Sequence, residues 1–121
     1  MEVGIDIAKI DRFEKLAEDE RFLNKVYSLL EIDYINQKNQ NKANTMAGLY
    51  CAKEAVLKAL GIGINGEISL KEISIVHNDN GKPYIELNDK ILSYLNKLNL
   101  KEIKISISHD GEYAISECII F

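Results

Sequence analysis

The sequence predicts an α+β fold, and three observations predict it. The first half carries apolar residues at helical spacing and culminates in one long run, Asn44 to Leu60. An Asn80-Gly81 pair stands between two strand-like segments, which is a strong hairpin signal. Ile103 to Ser108 alternates cleanly, with Ile103, Ile105 and Ile107 facing one way and Lys104, Ser106 and Ser108 the other. Helices and an antiparallel sheet thus fall in different parts of the chain, with a long central helix and several short ones.

The elements follow in order. Val3 to Ile7 is β-branched and weakly alternating, a short strand with Asp6 near its end. Lys9 to Glu18 has helical spacing, with Ile10, Phe13, Leu16 and Ala17 on one face. Phe22, Leu23, Val26 and Tyr27 form a second short stripe. Ser28 to Lys38 reads as a third helix, with Ser28 and Glu31 at capping-box spacing. The amide-rich stretch Asn36 to Lys42 reads as a loop or frayed end. Asn44 or Thr45 is the expected cap of the main helix, which Gly61, Gly63 and Gly66 end. Met46, Leu49, Lys53, Val56 and Leu60 share one side of it, and Ala47, Tyr50, Cys51, Glu54 and Lys58 another. Beyond it, Glu72 to His77 and Lys82 to Leu87 are the hairpin strands. Asn88 to Leu98 is a helix with Ile91, Leu92, Leu95 and Leu98 inward, and Tyr113 to Phe121 is the last strand.

Composition narrows the function. The chain's 121 residues suit a single domain over 1–121 with a modest core. A formal net charge of −4 argues against a general nucleic-acid binder, which needs a basic face. No apolar run approaches the ~20 residues of a membrane span. The first residues, with acids among them, do not resemble a signal peptide. Cys51 and Cys118 lack any C-x-x-C spacing and read as buried thiols of a reducing compartment, so the expectation is a soluble cytoplasmic protein.

The chemistry concentrates in Tyr50 to Gly61. Glu54 and Lys58 are four apart and so neighbours on a helix, which alone describes an ordinary surface ion pair. Their surroundings add to that. Ala47, Cys51 and Ala55 are small enough to let another segment approach, and the glycines that follow expose backbone N–H groups to a phosphate. A carboxylate, an amine and bare amides make a plausible site for Mg²⁺ and phosphate, with Asp6 as the natural second carboxylate.

"GIDIAKIDRF", "CAKEAVLKALGIGI", "NDNGKPYIEL" and "ISISHDGEYAIS" occur in that order. Together they resemble the holo-acyl-carrier-protein synthases, the short 4′-phosphopantetheinyl transferases, over nearly the whole chain. The resemblance implies the fold of that family. It also implies transfer of the phosphopantetheine arm from coenzyme A to a serine of apo acyl carrier protein, Mg²⁺-dependent and releasing 3′,5′-ADP, in fatty acid biosynthesis. It makes Asp6 and Glu54 the metal ligands and sets Lys58 on the pyrophosphate. Lys42, Gly61, Gly63, Pro83, Ser108 and His109 fall in the coenzyme A site. Arg12 and Arg21 become carrier-protein docking residues, with Phe22 or Phe13 as an apolar anchor. The family's short members are homotrimers with sites between subunits.

Three departures stand out. Leu49 takes the place of a common arginine, the family's upstream basic pair is reduced to Lys42 with Lys38, and Asn65 stands where a glycine is usual. The base that takes the serine proton is open among Glu54 through a metal-bound water, direct action of a carboxylate, and His109, with the first preferred. Two rivals remain, a nucleotide-binding module without transfer activity and an interaction-only domain.

Overall fold

The computed structural model describes residues 1–63 and 66–121. Its elements are β1 (Glu2–Lys9), α1 (Glu20–Val26), α2 (Leu29–Asn36), α3 (Lys42–Leu60), β2 (Ser74–His77), β3 (Pro83–Glu86), α4 (Asp89–Leu98), β4 (Ile103–Asp110) and β5 (Tyr113–Ile120). β1, β5 and β4 form an antiparallel sheet in that order, and β2 and β3 form a separate hairpin. This is the α+β arrangement with a long helix that the patterning predicts.

The long helix lies on the sheet because both surfaces are small where they meet. Ala47, Cys51, Ala55 and Ala59 recur every four residues and are all buried. The Cys51 thiol reaches the Ala114 carbonyl of β5 at 3.5 Å. A Cβ at Gly4 would stand 1.9 Å from the Ala55 carbonyl oxygen, so only glycine permits this approach of β1 to the helix. The register then fixes the inner face of the sheet. Asp6 lies opposite Ser116, and Ala8, Ala114 and His109 line up across the three strands.

The opposite side of α3 meets α1, α2 and the hairpin. Tyr27 donates from its hydroxyl to the Met46 carbonyl at 2.8 Å. Phe13, Ile35, Met46 and Leu57 are fully enclosed, each burial contributing about 1.5–3 kcal/mol. Lys53 is enclosed as well, against its polarity. Its ammonium pairs with Glu31 and donates to the carbonyls of Leu70 and Ile73 at 2.9 and 2.6 Å. Glu31 accepts from the backbone N–H groups of Ser28 and Ile75 at 2.7 and 2.9 Å. One buried ion pair thereby ties α2, α3 and the entry to β2.

Several boundaries differ from the sequence reading, each for a physical reason. Lys9 to Glu18 is not one helix. β1 continues to Lys9 because Lys9 pairs with Tyr113, and two 3-10 turns, Ile10–Phe13 and Leu16–Glu18, follow. Ile10 and Phe13 still bury, since i and i+3 coincide on a 3-10 turn too. Neither Asn44 nor Thr45 caps α3. The helix starts at Lys42, directly after a 3-10 turn at Asn39–Asn41, and Asn41 makes no side-chain cap bond. Leu92 is not inward but 42% exposed, because Ile91 and Leu95 fill the contact. Other signals stand as read: Ser28 and Glu31 form a capping box, Gly61 ends α3 at φ +73°, and Gly81 turns the hairpin at φ +81°. Asn65 lies outside the described residues.

Candidate active site

Asp6 and Lys58 meet where the C-terminal half of α3 crosses β1. Lys58 donates to Asp6 Oδ1 at 3.0 Å and to the Ile5 carbonyl at 2.9 Å. The helix neighbour expected as its partner, Glu54, forms no ion pair with Lys58 among the described residues, and Asp6 takes that place. Burial raises the pKa of Glu54, and the Asp6 charge raises it further. A hydrogen bond with Tyr50 and the charges of Lys58 and Arg12 work against that rise. An Asp6 carboxylate that disfavours ionisation of the Glu54 carboxyl gives a pair of oxygen donors of the kind a hard divalent cation takes. Among the described residues no group of three or more His, Cys, Asp or Glu side chains converges. A cation held by Asp6 and Glu54 would therefore need further ligands from outside that set.

Arg12 stands at the edge of this cluster. Its guanidinium carbon is 5.2 Å from the Phe13 ring centroid and 5.1 Å from that of Tyr50. Phe13 and Phe22 are in turn 6.2 Å apart, so an aromatic seam runs from Tyr50 to the first turn of α1. Arg21 is exposed at that turn, and Phe22 is half-buried. Arg12, Arg21 and Phe22 thus lie along one seam that borders the carboxylates, whereas Phe13 is fully enclosed beneath it and presents no surface for a partner.

A second cluster forms at the other end of α3. His109 Nε2 is 2.8 Å from the Asn44 carbonyl oxygen. A cleft of about 170 Å³ is lined by His109, Pro83, Tyr34, Leu49 and His77. The Tyr34 and His77 rings stack 4.1 Å apart, and Lys38 covers the far face of Tyr34 at 4.2 Å. Burial lowers the His77 pKa, and the Lys38 charge lowers it further.

The structure therefore sorts the predicted residues into two groups rather than one. Asp6, Glu54 and Lys58 come together, as do His109 and Pro83. Asn44 and Glu54 are ten residues apart on one helix, about 15 Å along its axis. Ser108 does not join His109 in the cleft. It faces the outer side of the sheet, opposite Ile115, because neighbours in a strand point to opposite faces. Lys42 lines a different groove with Glu18, Glu20 and Asn36. Gly61 and Gly63 are exposed beyond the end of α3. Leu49 is fully enclosed beside Gly48, where an arginine head would lack water. The sequence reading left Tyr34, His77 and the Glu31–Lys53 pair without roles. Lys53 on an apolar helix stripe was the available signal for the last.

Comparison with known proteins bears on the family and the fold. Residues 2–118 match the family described as the 4′-phosphopantetheinyl transferase superfamily. The holo-[acyl-carrier-protein] synthase of Fusobacterium nucleatum is 43% identical, covering 98% of this chain and 96% of that protein. The Helicobacter pylori holo-[acyl-carrier-protein] synthase, solved in complex with coenzyme A, superposes with a TM-score of 0.84 at 32% identity, covering 98% and 99% of the two chains. The Neisseria meningitidis enzyme of that name has a TM-score of 0.87 at 24% identity, covering 99% and 97%, and shares the fold. With its fold, its full-length match and its relatives in accord, the chain belongs to the holo-acyl-carrier-protein synthases of the 4′-phosphopantetheinyl transferase superfamily.

Proposed function

We propose that this chain transfers the 4′-phosphopantetheine arm of coenzyme A to a serine hydroxyl of apo acyl carrier protein. The observation that carries the reading is the convergence of Asp6, Glu54 and Lys58 where α3 crosses β1. In the reaction the serine oxygen bonds to the phosphorus that bears the pantetheine arm. The bond from that phosphorus to the bridging oxygen breaks, and 3′,5′-ADP leaves.

Such a displacement needs alignment and charge neutralisation more than covalent help. Asp6 and Glu54 are the residues that would hold Mg²⁺, and the ion, when bound, supplies positive charge against the diphosphate oxygens. Lys58 is half-exposed while paired to Asp6, so its ammonium can turn to the phosphate that gathers charge as it departs. Glu54 accepts the serine proton, through a water. Arg12, Arg21 and Phe22 receive the acidic carrier protein on the surface bordering these groups.

The site is completed by assembly into a homotrimer. Val3, Ile5 and Ile7 are 53, 56 and 59% exposed on the outer face of the sheet. Val3 lies beside Ile119 and Ile7 beside Ile115, so β1 and its neighbours on β5 carry an exposed apolar stripe, interrupted on β5 by Glu117 opposite Ile5. Packing these faces together covers the patch. It brings the His109 cleft of one copy to the carboxylates of the next, and coenzyme A spans the two. Lys42, Gly61, Gly63 and Ser108, which lie away from the cleft of their own chain, take their part in coenzyme A binding at that junction. The carrier protein so loaded serves fatty acid biosynthesis in the cytoplasm. Both cysteines are free and buried, as suits a reducing compartment.

The test is the intact mass of an apo acyl carrier protein after incubation with this chain, coenzyme A and Mg²⁺. The expected result is a gain of one phosphopantetheine group on the carrier serine. An unchanged carrier mass, with coenzyme A bound, would leave a binding module in place of a transferase.

A further inference from the structure

Arg12 is a charged side chain that the fold holds in place without giving it an acid. Its backbone is fixed on both sides. The Ile10 N–H donates to the Glu112 carbonyl at 2.8 Å, and Phe13 is fully enclosed. The 3-10 turn that carries Arg12 is thus fastened to the β4–β5 turn at one end and to the core at the other. The side chain itself is exposed and forms no ion pair among the described residues. What it rests on is aromatic. The guanidinium carbon is 5.1 Å from the Tyr50 ring centroid and 5.2 Å from that of Phe13, and the two rings are 5.5 Å apart. Both distances fall within the ~6 Å at which a ring attracts a cation. Phe13 is the chain neighbour of Arg12. Tyr50 comes from a separate element, α3, and lies one helical turn from Glu54. Arg21 makes no such ring contact among the described residues.

We propose that Tyr50 is a positioning residue for carrier-protein docking: its ring holds the Arg12 guanidinium ready for an acidic side chain of the carrier. The proposal rests on the transferase reading and on Arg12 as a docking residue. An arginine loose in water loses side-chain freedom when a partner grips it, and that loss weakens binding. One already laid against a ring has given up much of that freedom beforehand, and its planar fork of N–H donors still fits a carboxylate. The Tyr50 hydroxyl supports the placement. Burial raises its pKa most, a hydrogen bond with Arg12 lowers it, and the Glu54 charge raises it. Tyr50 thus stands between the docking cation and the carboxylate, so an acid paired with Arg12 is held at a set place relative to Glu54.

Calorimetry with apo acyl carrier protein tests this, on variants checked for folding by thermal melting. Tyr50→Leu removes the ring but keeps an apolar side chain against Phe13. It should weaken carrier binding about fivefold and leave coenzyme A binding unchanged. Tyr50→Met serves in its place if the leucine variant melts early. Tyr50→Phe keeps the ring and should bind the carrier within about twofold of the unsubstituted protein. A double-mutant cycle separates positioning from mere structure. In an Arg12→Ala background, Tyr50→Leu should have almost no further effect, because the guanidinium that the ring held is gone. In an Arg21→Ala background it should still weaken binding about fivefold. Three results would overturn the proposal alone: undiminished carrier binding by Tyr50→Leu, a loss in Tyr50→Phe as large as that in Tyr50→Leu, or full additivity of Tyr50→Leu with Arg12→Ala. An unsubstituted protein that neither binds the carrier nor adds mass to it would instead overturn the transferase reading and this proposal with it.

Discussion

At the scale of the residue, Glu54 carries a burden that its fold does not need. Burial and the Asp6 charge both disfavour its ionised form. Glu54→Ala should therefore leave the melting midpoint unchanged or raise it, while transfer to the carrier protein is abolished. Thermal melting and the carrier mass measured on one preparation check both halves. Arg12 poses the complementary case. Arg12→Glu should weaken carrier-protein binding severalfold and spare coenzyme A binding, which calorimetry separates. Cys118 makes a prediction about pH. Burial alone pushes its thiol from an ordinary 9.0 up to about 12. A raised folded-state pKa means that the native state holds the proton more tightly than the unfolded chain. The stability this contributes is complete below about pH 9 and is lost as pH rises toward about 12. Denaturation midpoints of Cys118→Ala should thus decline less steeply over that window than those of the unsubstituted protein.

At the scale of the element, α3 connects packing to chemistry. One side of it is small residues against the sheet, another is enclosed with Lys53, and its two ends hold the two clusters. The Glu31–Lys53 pair shows how much depends on that placement. Lys53→Ala leaves the Glu31 carboxylate buried without its counter-ion and should cost about 3–5 kcal/mol, read by urea denaturation. Replacing both, as Glu31→Gln with Lys53→Met, should cost less than the sum of the single changes, because neither variant group is then an orphaned charge. Elements with a local chemical cause were legible in the sequence: the Ser28 cap, the Gly61 stop, the Gly81 turn and the alternation of Ile103 to Ile107. Those settled by distant partners were not. Lys9 joins a strand because Tyr113 is beside it, and Leu92 is exposed because Ile91 and Leu95 already fill the contact. The site divides in the same way. Glu54 and Lys58 were readable from helix spacing, whereas the choice of Asp6 as the partner of Lys58 depends on how β1 crosses the helix.

At the scale of the whole molecule, two features fit together. One is an apolar sheet face in water, with Val3, Ile5, Ile7 and Ile115 exposed on it. The other is a pair of clusters at opposite ends of one helix, each with part of what the proposed reaction would need. The first asks for a neighbour and the second supplies a reason for one. Ile5→Lys should therefore lower both the oligomer mass seen by light scattering and the transfer rate, although Ile5 faces away from the cleft and the carboxylates of its own chain.

The most direct measurement mixes two defective proteins. Glu54→Ala lacks the carboxylate, and His109→Ala lacks the cleft contact. Each is assayed alone and after unfolding and refolding together in equal amounts, at coenzyme A concentrations well below saturation. If each site joins the carboxylates of one copy to the cleft of another, random assembly restores about a quarter of the sites in the mixture. If both groups act within one chain, the mixture is no more active than the two proteins measured apart, and the account is contradicted.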